Sequence, residues 1–358
     1  MDNVNWENAL DSIFDIPNSP LAPQFAESEK LSPQVIDGPT QLRHHNPPSQ
    51  VVTPPASDSS SVSGGEDSVP DNDAQENTIV SVSTTFHPLA RLLPIPSDLI
   101  VVSSDDIHFY VHTTQVLSAS TNHFNNIVLP DRATSDKAGN GLCLLARVSE
   151  SAVVLNIILH CVYGMSCEHY KPALDTLVAA VDAMPSYGLC PKMFVAPSTV
   201  LYTLILGQAP MRPLVVYALA ARHDLYELAK PVSSHLLSFP VHAISDELAS
   251  QIGAVYLKRL FLLHMERVQT LKQLLLPPPH PHPPTEQCDF VEQKKLTRAW
   301  ALAAAYLAWD SRADLSPSAI QNALSPLADH VSCHLCKQCL AERIKHLLVQ
   351  WSFVKRTI

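Results

Sequence analysis

Glycine is scarce in this chain, at 9 of 358 residues. Neither G-x-G-x-x-G nor G-x-x-x-x-G-K-[ST] occurs, so the glycine-built cradles that hold nucleotide phosphates are missing. There is no G-x-S-x-G and no H-E-x-x-H, and none of the 17 histidines falls beside a Ser or Cys in a nucleophile signature. These absences argue for a non-enzyme, with no catalytic residue and no cofactor. No apolar run reaches the ~18 residues of a membrane span without a charge or proline. Residues 1–15 lack the apolar stretch of a signal peptide. The expected location is therefore cytoplasmic or nuclear, with the eight cysteines held as thiols.

Basic charge is nearly missing from the N-terminal quarter. Residues 1–90 hold 13 Asp and Glu against 2 Lys and Arg, a net of −11, whereas the whole chain carries −10. The remainder is thus close to neutral. It shows no basic stripe, which argues against direct nucleic-acid binding. Residues 1–90 are rich in Pro, Ser, Asp, Asn and Gln and read as a disordered acidic tail, because they offer too little apolar area to offset ordering entropy. One segment stands apart. Trp6, Leu10, Ile13 and Phe14 recur at helical spacing among acidic residues, ahead of Pro17. This is the pattern of a helix that forms in a partner's groove, as acidic activation segments do. It makes a transcription regulator the second functional reading.

Proline, by contrast, is plentiful, at 30 residues. Order is expected from Pro96 onward. Residues 99–102 are β-branched and apolar, 103–106 form a turn, and Ile107, Phe109 and Val111 alternate with polar neighbours, which predicts a hairpin with one buried face. Residues 114–126 switch to helical spacing, and 131–141 form a polar loop. Residues 142–148 read as a third strand. Ser149 is the expected cap of a helix closed by Gly164, and Pro172 is expected to open the next helix. Beyond about 197 the pattern is helical throughout, with candidate helices at 198–207, 211–222, 224–238, 245–276, 290–310, 316–328 and 333–355. The first two are apolar on nearly all sides and should be buried. The run 277–284, PPPHPHPP, is expected to be an extended, stiff spacer.

The stretch DLIVVSSDDIHFYVHTTQVLSASTNHFNNIV, residues 98–128, resembles the core of the BTB/POZ family through Asp98, Phe109, His112, Leu117 and Phe124, with Thr121 where a Ser is usual. ILHCVYGM, with Tyr163, and LDTLVAAVDAMPSYGL, with Tyr187, Gly188 and Leu189, are similar to the family's following helices. The likeness covers roughly 97–190. The remainder, with runs such as RAWALAAAYLAWD and VQWSFVKRTI, resembles the helical extension of fungal, basidiomycete-type proteins carrying that core. The resemblance implies an α+β BTB/POZ-like module at 97–190, a small sheet covered by helices, followed by a mainly α-helical region at 197–358. It also implies an adaptor role toward other proteins: a second copy of the chain, a cullin-type ubiquitin ligase, or transcription machinery. The family's dimer-forming leading helix has no room among Pro88, Pro94 and Pro96. If the module carries a partner surface, the first places are Thr114, Val116, Leu117, Thr121 and Phe124, with the loop at 131–141.

The most chemical-looking cluster is Cys333-x2-Cys336-x2-Cys339, with His330 just ahead and His334 inside. Thiolates three apart on a helix can reach one zinc, but a closed site needs four ligands. His280, His282 or Cys288 would have to fold back to complete it. The simpler reading is three small apolar side chains on the buried stripe of the last helix, so no metal is assigned. The zinc reading, or an enzyme built on the helical half, stands as the third alternative. His112 is read as a hydrogen-bonded core histidine. Trp300, Tyr306 and Trp309 are read as core side chains, with an interface as the alternative.

Overall fold

The computed structural model describes residues 80–127 and 144–358. The acidic segment with Trp6, Leu10, Ile13 and Phe14 and the loop at 131–141 lie outside the described residues. The described residues are mainly helical, with one small mixed sheet of strand order β1-β3-β2-β4. The strands are β1 (Ser81–Val82), β2 (Leu99–Val102), β3 (Ile107–Val111) and β4 (Leu144–Arg147). β2 and β3 form the expected antiparallel hairpin, pairing Leu99 with Val111 and Val101 with Phe109, while β1 runs parallel to β3 and β4 parallel to β2. Leu99, Val101, Phe109 and Val111 are all buried. They alternate along the two strands, so the hairpin has one apolar face and helices cover it.

Packing begins earlier than residue 96 and inside the segment read as tail. Phe86 is fully buried against Phe109, His160 and Tyr163, and its carbonyl accepts from the Tyr110 N–H at 2.9 Å. The prolines that follow exclude a helix here but leave an extended chain free to line the sheet.

Helix α1 (Thr113–Ala119) is shorter than expected. The predicted single helix breaks at Ser120, and His123–Asn126 forms a separate turn in which all four residues have φ between +52° and +59°. Local side-chain bonds outcompete helical continuation. Ser120 Oγ accepts the Phe124 N–H, Asn122 Oδ1 accepts the Asn125 N–H, and Asn122 Nδ2 donates to the Ser186 carbonyl. Helix α2 (Ala152–Val162) is capped from outside: the Ala152 N–H donates to Asp105 in the hairpin loop at 2.8 Å, and Ser149 instead bonds Glu150. Gly164 closes this helix at φ +65°. Helix α3 (Leu174–Ala183) starts two residues after Pro172 rather than on it.

The helical region contains α4 (Val200–Gly207), α5 (Pro213–Arg222), α6 (Tyr226–Ser233), α7 (Asp246–Leu275), α8 (Phe290–Trp309), α9 (Pro317–Leu324) and α10 (His334–Ser352). α5 is buried through Val216–Ala221, as its sequence demands. α4 buries only Leu201 and Ile205 and leaves Val200 exposed, so apolarity on all sides overstated its burial. No helix among the described residues is long and apolar enough to cross a membrane.

A single hydrophobic core runs from Phe86 through the sheet and the helices to Leu263 and takes in Ala313 and Ile358, so the sheet module and the first helices share one interior across residues 190–197. A second core starts at Leu271 and holds α8, α9 and α10. α7 belongs to both. Its buried stripe, Ile252, Tyr256, Leu260, Leu263, Arg267, Leu271 and Leu275, follows helical spacing across a local break at Gly253. The proline run is not a free spacer. His282 is buried, and the run lies on the second core instead of holding two bodies apart.

Candidate functional site

Two buried polar groups and one exposed face stand out. The first is His112, between β3 and α1. Its Nε2 lies 2.9 Å from the Ile95 carbonyl and its Nδ1 lies 2.8 Å from Tyr163 Oη. A carbonyl only accepts, so Nε2 carries the proton and Nδ1 accepts from the Tyr163 hydroxyl. The same hydroxyl accepts the His112 N–H at 2.8 Å. Burial pushes the Tyr163 phenol up to about 12, which keeps it a donor. The arrangement saturates the histidine and leaves it no free nitrogen for base chemistry. Asp98 Oδ1 accepts the Thr113 N–H at 2.7 Å and anchors the start of α1. Tyr163→Phe is expected to strand the His112 ring nitrogen and backbone N–H and to cost about 2–3 kcal/mol of stability. Denaturant titration of both proteins checks this, and unchanged midpoints would contradict it.

The second group is assembled from distant parts of the helical region. His282 Nε2 lies 3.2 Å from Cys336 Sγ and 3.4 Å from Cys333 Sγ, and Cys288 Sγ lies 3.7 Å from Cys336 Sγ. All four ligand atoms fall within 4.8 Å of one another, with His282, Cys288 and Cys336 buried and Cys333 half-buried. Local structure accounts for each position. Prolines on both sides keep His282 extended. Thr285 and Cys288 close a tight turn by reciprocal backbone bonds of 3.0 and 3.1 Å, which presents Cys288 just ahead of Asp289, the cap of α8. Cys333 occupies the position just before α10, and Cys336 lies in its first turn. Gln293 Nε2 donates to the His282 carbonyl at 3.0 Å and fixes the backbone from α8.

The backbone N–H of Cys336, with help from Cys288, holds the Cys333 thiol down to about 7. Burial, with Cys288 alongside, pushes Cys336 up to about 12. Three sulfurs and one imidazole nitrogen form a soft donor set, and no carboxylate belongs to it.

The candidates Cys333, Cys336, Cys339 and His330 therefore separate. Cys333 and Cys336 come together. Cys339 faces a cleft beside Leu274, His280 and Arg343, and His330 is exposed at the end of a 3-10 turn. Their places are taken by His282 and Cys288. Packing accounts for Cys336 on the buried stripe, and Cys333, which precedes the helix, lies half-buried against the same core. Only the return of the proline run reveals the set, and no spacing rule signals that return.

The proposed interaction residues also divide. Val116 and Phe124 are fully buried, so they cannot belong to a surface. Val116 is part of the first core, and the left-handed turn carries Phe124 onto Tyr187 with ring centroids 4.5 Å apart. Thr114 and Thr121 are exposed and Leu117 is half-buried. Thr121 is also engaged, donating its N–H and hydroxyl to the Gly188 carbonyl, each at 3.0 Å.

The exposed face is on α8. Trp300 is buried and donates Nε1–H to the Leu275 carbonyl at 3.0 Å, as a core residue should. Leu302, Tyr306 and Trp309, however, are 69%, 70% and 91% exposed. Their i, i+4, i+7 spacing aligns them as one ridge, opposite the buried Leu296, Trp300, Ala304 and Leu307. The core reading therefore holds for Trp300 and fails for Tyr306 and Trp309.

No protein-family model matches the chain, and no curated protein or solved structure matches it.

Proposed function

We propose that this chain is a non-enzymatic adaptor that binds other proteins through a BTB/POZ-like module and its fused helical array. The hairpin roofed by helices supports the module reading. The observation that carries the interaction role is the ridge Leu302, Tyr306 and Trp309 on α8, because water-facing apolar side chains on one helix face have no value to the isolated fold. An aromatic side chain buries about 150–250 Å² at an interface, and aromatics dominate binding energy there. The chemistry fits a partner that offers an apolar groove or an amphipathic helix. By analogy with the family, that partner is a ligase or transcription component, or a second copy of this chain.

The test compares the full chain with Tyr306→Ser/Trp309→Ser in affinity capture from the native cell and in sedimentation. The double variant is expected to keep its melting temperature and to lose partner binding or self-association by about tenfold or more. Equal recovery of every partner and an unchanged sedimentation coefficient would overturn the ridge as the binding surface.

A further inference from the structure

We propose that His282, Cys288, Cys333 and Cys336 form a structural zinc site that pins the proline run to the start of α10. The proposal stands independently of the adaptor reading. Its first support is geometry. A tetrahedral zinc with Zn–S near 2.3 Å and Zn–N near 2.05 Å places sulfurs about 3.8 Å apart and the nitrogen about 3.5 Å from each sulfur. The distances found are 3.7 Å between Cys288 and Cys336 sulfurs, and 3.2 and 3.4 Å from His282 Nε2 to Cys336 and Cys333. Three of the six ligand-to-ligand separations thus lie close to the spacing that one ion requires, and all four ligand atoms fall within 4.8 Å of one another.

The second support is the surroundings of the histidine. His282 Nδ1 lies 2.7 Å from the Pro283 carbonyl, which can only accept. Nδ1 therefore carries the proton, and Nε2 turns its lone pair toward the sulfurs. Zinc-bound histidines hold the ligating nitrogen free in this way, with the other nitrogen bonded to a backbone oxygen or carboxylate. Without a metal, the cluster reduces to weak contacts among thiols and an imidazole, a poor return for burying a histidine.

The donor set decides the metal. Three thiolates and an imidazole suit zinc and exclude magnesium and calcium, which take oxygen. Four protein ligands fill the tetrahedron, so no position remains for water or substrate and the site is structural. Binding takes all three sulfurs as thiolates, and the filled centre carries one net negative charge. That charge sits at the N-termini of α8 and α10, where helix dipoles favour it. Cys339 stays outside the set.

The test uses the full chain, purified under reduction without chelator. Expected are about one zinc per chain and, after exchange to cobalt, the visible bands of tetrahedral cobalt with sulfur-to-cobalt charge transfer. Cys333→Ser and His282→Ala are expected to lower the zinc content at least fivefold, while Cys339→Ser retains it. The wild-type cobalt spectrum keeps the test decisive if a variant fails to fold. A folded wild-type chain with less than about 0.5 zinc and no cobalt bands overturns the proposal. So does one equivalent of a different metal, or a Cys288–Cys336 disulfide in protein prepared without air. Equal zinc loss from Cys339→Ser and Cys333→Ser overturns the ligand assignment.

Discussion

Gly188→Ala is expected to destabilise the protein by about 3–5 kcal/mol, through two penalties that add. Gly188 has φ +68°, in the left-handed region, where an alanine costs about 1–2 kcal/mol. A β-carbon there would lie 2.5 Å from Asn122 Oδ1 and 2.7 Å from the Asn122 backbone nitrogen. The amide side chain could swing aside only by giving up its bonds to Ser186 and Asn125, and the backbone nitrogen cannot move without the turn. The Gly188 carbonyl also holds Thr121 twice, so displacing this loop loosens the link between α1 and the end of α3. Gly164→Ala supplies the contrast. Gly164 is equally left-handed, at φ +65°, but nothing lies within 4 Å of its added carbon. It should lose only the backbone term, about 1–2 kcal/mol. Thermal melts of the two variants separate the causes, and equal losses would show that the contact with Asn122 carries no cost.

The contrast between these glycines marks how far the sequence could be read. Gly164 follows an apolar helix, and a helix-closing glycine is a local signal. The crowding at Gly188 comes from residues on another element, so only the fold reveals it. The same division holds elsewhere. The hairpin, its buried face and the placement of the later helices followed from periodicity, because those depend on neighbours in sequence. The left-handed turn after α1 did not. Val116, Leu117, Phe124 and Ile127 carry helical apolar spacing across it, and the competing bonds of Ser120 and Asn122 reach partly to Ser186 and Tyr187.

The candidate metal ligands show the limit most sharply. Cys333-x2-Cys336 was visible as a half-site. Its completion depends on a proline run that turns back onto the core, and composition suggested a stiff spacer instead. Burial was legible on α8 as a period but not as a direction. Trp300 and Trp309 are both aromatic residues on one helix, yet they are nine residues apart and face opposite ways.

Arg267→Met is expected to cost about 3–5 kcal/mol and to release the final segment of the chain from α7. Arg267 is only 2% exposed, on the stretch of α7 where the first core ends and the second begins. Burial pushes its guanidinium down to about 10, which still leaves it charged at neutral pH. Three carbonyls compensate that buried charge. Nε donates to Ala313 at 2.7 Å, and Nη1 donates to Val354 and Lys355 at 2.9 and 2.8 Å. Its Cζ also lies over the Trp351 ring, 4.3 Å from the centroid.

Methionine keeps much of the volume and removes every donor, so three backbone oxygens lose a charged partner at once. Those oxygens belong to the segment before α9 and to the chain after α10, and this one side chain binds both. Ile358 lies beyond them, buried with its N–H on Ser233, and it depends on the same alignment. Arg267→Lys should recover part of the loss, since one ammonium keeps the charge but cannot span the three acceptors. Denaturant titration measures the cost, and limited proteolysis should show earlier cleavage after residue 353 in Arg267→Met. If the variant melts with the wild type and its C-terminal segment resists protease equally, the buried guanidinium does not join the two cores.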